Sequence, residues 1–87
     1  MKISNMLSAS GNPIPNQFKI EHEGKIFFQS YNSTIVMIDR GTVTLDSNKW
    51  DFSKTTGKWR NKFLGESKKE TQAKIDSGEY KLADLNK

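Results

Sequence analysis

Ser53-Lys-Thr-Thr-Gly-Lys-Trp-Arg-Asn-Lys-Phe-Leu-Gly65 is where the apolar period of this chain changes from two to nearly four. Thr55, Trp59 and Phe63 fall at i, i+4 and i+8, and residues four apart share one helix face. Ser53 is a natural N-cap and Gly65 a natural residue just past the C-terminus. The spacing predicts a helix over 54–64. Gly57 inside it costs about 1 kcal/mol relative to alanine. Downstream, Ser67-Lys-Lys-Glu70 has the form of a capping box. It predicts a second helix over 68–77 that carries Ala73 and Ile75 and stops at Gly78.

Upstream the period is two. Phe18-Lys-Ile20 alternates, Glu23-Gly24 marks a turn, and Lys25 to Tyr31 forms a second β-rich run. Asn32-Ser33 turns into Thr34-Ile-Val-Met-Ile-Asp39, and Arg40-Gly41 turns into Thr42-Val-Thr-Leu45. Short connections holding Gly or Asn between β-rich runs read as successive hairpins. The expected fold is therefore α+β. A four-stranded antiparallel meander over 17–46 is followed by two short C-terminal helices on one sheet face. Trp59, Phe63 and Ile75 would pack on Phe28, Val36 and Ile38 or their alternating neighbours. Residues 1–16 read as an N-terminal arm, because Ser8–Asn16 is rich in Ser, Gly, Asn and Pro and prolines favour extended backbone. Ile3, Met6 and Leu7 would anchor it. Residues 17–87 form the single domain, with Tyr80–Leu85 as a short strand or docking tail.

Eighty-seven residues with 33% apolar side chains support one small domain with a thin core. The chain has no cysteine, so disulfides and thiolate metal sites are excluded. No apolar run approaches the 18 or so residues of a membrane span, and no signal-peptide h-region is present. Gly57-Lys58 does not make a phosphate loop. That pattern needs glycine five positions earlier, where Phe52 stands, and Ser or Thr afterwards, where Trp59 stands. His22, the only histidine, sits between Glu21 and Glu23 at a strand end and reads as a turn residue. No Gly-x-Ser-x-Gly elbow occurs. The expectation is no enzyme, no metal, no cofactor and no small-molecule substrate.

The charge is concentrated. Residues 49–62 hold Lys49, Lys54, Lys58, Arg60 and Lys62 against Asp51, and the whole chain carries only +4. Cations interleaved with Trp50, Phe52, Trp59 and Phe63 suit a polyanion such as nucleic acid. Lys54, Lys58 and Lys62 form one helix face, and Thr56, Arg60 and Leu64 another. Lys49, Lys54, Lys58, Arg60 and Lys62 are the candidate phosphate contacts, and Asn61 is a candidate base-edge reader. The same residues also describe a helix packing its aromatics inward and its lysines toward water, and the two readings are compatible. Trp50 and Phe52 read first as core, and alternatively as platforms for a stacked base.

Gly11-Asn-Pro-Ile-Pro-Asn-Gln-Phe18, Phe28-Gln-Ser-Tyr-Asn-Ser33, the block Trp50–Glu66 and Lys74-Ile-Asp-Ser-Gly-Glu-Tyr80 resemble a family of small uncharacterised proteins encoded by tailed bacteriophages. The resemblance spans roughly residues 11–86, and its most specific part is the Trp50–Glu66 block. It transfers no catalytic or binding residue. It implies a phage product acting in the host cytoplasm. The expected function is a basic nucleic-acid-binding accessory protein. The alternatives are an inhibitor or adaptor of a host protein, and a minor virion component.

Overall fold

A computed structural model describes residues 1–86; Lys87, the last residue of the expected domain, lies outside the described residues. Among the described residues the strands are β1 (Lys2–Leu7), β2 (Pro13–His22), β3 (Lys25–Ser30), β4 (Ser33–Asp39), β5 (Thr42–Asp46) and β6 (Lys81–Ala83). The helices α1 (Lys54–Leu64) and α2 (Lys68–Asp76) lie between β5 and β6. The strands form one sheet in chain order, with β1 to β5 antiparallel and β6 parallel to β5. The parallel pairing follows from the two-helix crossover that returns the chain in the direction of β5.

The fold is α+β, as the period change implied, but the sheet has six strands rather than four. The expected arm is part of it. Residues 2–7 pair with β2, with Ile3 opposite Ile20 and Leu7 opposite Pro13, so the anticipated boundary at residue 16 falls inside β2. Pro13 and Pro15 are tolerated there because β3 pairs with β2 only from Gln17 onward. A missing N–H on that side of residues 13–16 therefore breaks no ladder bond. Ser8 and Asn12 close the β1–β2 turn, the Ser8 N–H donating to the Asn12 carbonyl at 2.8 Å.

Glu23 and Gly24, and again Arg40 and Gly41, have positive φ, between 51° and 82°. Two consecutive positive φ angles make the tight turn that matches strand twist, and glycine carries the second at no steric cost. Both expected helices are present. The Ser53 side chain accepts from the Thr56 N–H, and Gly65 ends α1 in the left-handed region. Ser67 and Glu70 form the reciprocal capping box of α2.

Alternation assigns the two sheet faces. Ile26, Phe28, Val36, Ile38, Val43 and Leu45 point toward the helices. The core comprises Phe28, Ile35, Val36, Leu45, Trp59 and Tyr80, with Phe63, Ile38 and Ile75 packed on its margin. Phe28 and Phe63 stack with ring centres 5.5 Å apart. A bulge between Phe28 and Gln29 in the β3–β4 register lets Ile35 be buried beside Val36. A buried polar tie crosses the layers: Ser30 Oγ and Thr56 Oγ1 lie 2.8 Å apart.

Candidate nucleic-acid interface

Lys54, Lys58 and Lys62 lie at i, i+4 and i+8 on α1, and all three are exposed. Their surroundings differ. The Lys58 and Lys62 ammonium groups sit 5.2 and 5.4 Å from the centre of the Trp59 ring. Trp59 itself faces the core, so the two lysines cover its outer edge. Lys62 Nζ also donates to the Leu7 carbonyl at 2.7 Å, which ties α1 to the end of β1. Lys49 is drawn away from the row. It is half-buried and donates to Ser33 Oγ at 2.8 Å.

Arg60 does not join the exposed cations. Its residue is 1% exposed. The guanidinium lies 5.1 Å from the Trp50 ring centre, donates through Nη1 to the Trp50 carbonyl, and donates through Nη2 to Asn61 Oδ1 at 2.8 Å. Asn61 thus gives its oxygen to Arg60. Asp51 Oδ1 is 3.7 Å from Arg60 Nη1. Burial pushes the Arg60 pKa down, while the charges of Asp51 and Glu66 oppose that shift. Arg60 Nε has no hydrogen-bond partner among the described residues. Nothing in the local spacing marked this arginine as inward-facing.

The structure brings in residues that the charge pattern alone did not. The loop before α1, the first turns of α1 and the start of α2 enclose an open cleft of about 540 Å³. Phe52, Lys54, Gly57, Lys58, Arg60 and Lys68 line it together with Asp51 and Asn61. Phe52 is 52% exposed, whereas Trp50 is half-buried against the core. Of the two aromatics read first as core, Trp50 packs inward and Phe52 does not. Lys68 Nζ contacts Asp51 Oδ2 at 2.7 Å. The cleft therefore holds four cations against one carboxylate, and the N-terminal end of α1 adds its own partial positive charge.

Between the two helices, Glu66 ties α2 to Tyr80, the residue before β6. Its carboxylate accepts from Thr71 Oγ1 at 2.6 Å, and from Lys74 Nζ and the Tyr80 hydroxyl at 2.8 Å each. Burial alone would raise the Glu66 pKa, but these three donors outweigh it and hold the carboxyl below its ordinary value. Glu66 in turn raises Lys74, chiefly through their hydrogen bond. Burial, reinforced by Glu66, raises Tyr80.

The sheet face away from the helices is a second distinctive surface. Ile3, Ile20, Phe27 and Met37 stand opposite one another in register across four strands. Beside them, the β1 edge exposes Ile3 and Leu7 at 57% and 50%. Among the described residues, no three His, Cys, Asp or Glu side chains cluster as for a metal ion. No helix there is long and apolar enough to cross a membrane.

No curated protein and no solved structure matches the chain. A family model, described as a family of unknown function (DUF8033), matches residues 1–79. That match takes in the sheet from β1 to β5, both helices and every residue of the cleft, and the chain belongs to this family.

Proposed function

We propose that this protein is a small, non-enzymatic, basic nucleic-acid-binding accessory protein acting in the cytoplasm of a phage-infected bacterium. The observation that carries this reading is the clustering of Lys54, Lys58 and Lys68 around an exposed Phe52, with Asp51 the single carboxylate in the cleft. Exposed lysine ammonium groups meet phosphates and release condensed counterions, which supplies affinity without sequence readout. Arg60 turns inward and the Asn61 oxygen is held by it, so the surface has few groups to read base edges, and binding is weakly sequence-specific.

The test is affinity for a 12-nucleotide single strand and a 12-base-pair duplex at about 50 and 200 mM salt. Three phosphate contacts predict a loss of roughly 20–40-fold over that range. Lys54→Glu with Lys58→Glu reverses two lysines that form no hydrogen bond or ion pair among the described residues, and should abolish binding to both ligands. Undetectable binding of the unaltered protein at the lower salt ends this reading.

A protein partner is the second reading, favoured by the open β1 edge and the apolar row beside it. An exposed strand edge accepts an added strand, and its side chains supply specificity. Ile3→Asp with Leu7→Asp would then abolish capture of a host protein from infected cells and leave nucleic-acid affinity unchanged. A virion role called for an arm free of its own domain. β1 pairs along β2 instead, so no observation favours that role.

A further inference from the structure

We infer that the open β1 edge takes an extended segment of a partner protein whose residues alternate between apolar and acidic side chains. This rests on the protein-partner reading and names that partner's chemistry; it does not depend on the nucleic-acid reading.

β1 is the end strand of the sheet, so among the described residues its backbone pairs on one side only. A strand added there continues the ladder, and its side chains alternate between the same two faces as those of β1. Those two faces differ in kind. Met6 lines a cavity on the helix side together with Ile26, Ile38 and Phe63, so alternation puts Leu7 on the other face with Ile3. Ile3 and Leu7 are 57% and 50% exposed. Side chains added beside them meet apolar surface.

The helix side is cationic. Lys2 is exposed there, and Lys19 stands opposite Ser4 in the register. Lys62 Nζ donates to the Leu7 carbonyl at 2.7 Å, which holds a third ammonium at the end of β1. The cavity beside Met6 is about 380 Å³, with Lys19 and Lys62 as its two cations. A glutamate suits that combination, its methylenes on the apolar lining and its carboxylate at the lysines. The carboxylates nearby are Glu21, 3.8 Å from Lys19, and Glu23, 3.6 Å from His22. The Lys19–Glu21 pair is nearly half-exposed on both sides, and such a surface pair gives way readily to a better-placed acid.

Charge also decides against a second copy as the occupant. Residues 2–7, Lys-Ile-Ser-Asn-Met-Leu, carry the single charge of Lys2. A second β1 therefore brings a cation to an edge that already has three, and like charges across a ladder are destabilising. Lysines beside an open edge discourage pairing with neutral or basic strands. An acidic strand turns the same charges into attraction.

The test measures fluorescence anisotropy of three labelled eight-residue peptides at low salt: alternating Val-Glu, alternating Val-Lys, and four Val followed by four Glu. Alternating Val-Glu should bind and slow amide exchange in β1. The block peptide should bind on the order of tenfold more weakly, because half its side chains meet the wrong face. Val-Lys should not bind. Lys2→Glu with Lys19→Glu should melt like the unaltered protein and reverse the preference, toward Val-Lys. Lys54→Glu with Lys58→Glu should keep the Val-Glu preference. Equal protection of β1 by Val-Glu and Val-Lys overturns the acidic assignment and leaves the edge a site of strand addition. Equal binding of alternating and block peptides without β1 protection reduces the attraction to general charge and overturns the site. Binding of none of the three also overturns the inference, and the protein-partner reading is then judged separately by capture with the Ile3→Asp, Leu7→Asp variant.

Discussion

Gly57 leaves the Arg60 guanidinium 3.7 Å from the point that an alanine Cβ would occupy, and no other side chain comes closer to that point. One residue thus gives up helix propensity where the guanidinium packs against the helix backbone. Gly57→Ala should raise stability by about 0.5–1 kcal/mol, because the new methyl fits at ordinary contact distance and helix propensity improves. For a domain of this size the melting midpoint should rise by roughly 2–8 °C. A lower midpoint would mean that the packed guanidinium cannot accept the added methyl.

Trp59 closes the core under α1 and is 7% exposed. Trp59→Ala should cost about 3–5 kcal/mol, a large share of what a small domain possesses. Chemical denaturation should show a largely unfolded population without denaturant. Retention of a cooperative transition near the unaltered midpoint would contradict the packing described above.

The helix boundaries, the capping box and the Trp59–Phe63 face were legible because each depends on local spacing. The six-stranded sheet was only partly legible. β1 alternates weakly in Lys-Ile-Ser-Asn-Met-Leu, and Pro13 and Pro15 read as part of an extended arm because their place in a strand depends on where β3 ends. β6 is three exposed residues whose strand character comes from its neighbour β5. The lysine row was legible as charge, but the direction of Arg60 was not. Position 60 follows a core tryptophan on a helix, and only the tertiary placement of the Trp50 carbonyl turns it inward.

The buried Ser30–Thr56 contact tests how the helix layer is held to the sheet. Thr56→Val or Ser30→Ala alone leaves one hydroxyl without a partner and should cost about 1–3 kcal/mol. The double variant removes both polar groups and should cost less than the sum of the singles. Strict additivity in a double-mutant cycle would show that the hydroxyls do not interact.

Glu66 gives the fold a defined acid response. Its folded-state pKa lies below its ordinary value of 4.5, so its contribution is complete above that pH and is lost as pH falls through the lower folded value. Stability measured by denaturation should decline below about pH 4.5 in the unaltered protein. Glu66→Gln should be less stable at pH 7 by about 1–3 kcal/mol and lose less on acidification. The raised pKa of Tyr80 works at the other end: above about pH 10 the unfolded hydroxyl ionises while the folded one holds its proton, so stability should decline there too. An unchanged acid slope in Glu66→Gln would contradict the network.

The central claim is that Lys54 and Lys58 present a phosphate-binding surface, and the most direct measurement is the salt dependence of nucleic-acid affinity. The unaltered protein should bind single-stranded and duplex DNA at about 50 mM salt and lose roughly 20–40-fold by about 200 mM. Lys54→Glu with Lys58→Glu should melt like the unaltered protein and bind neither ligand. Absent binding at the lower salt, or binding indifferent to both salt and the charge reversal, would contradict the account.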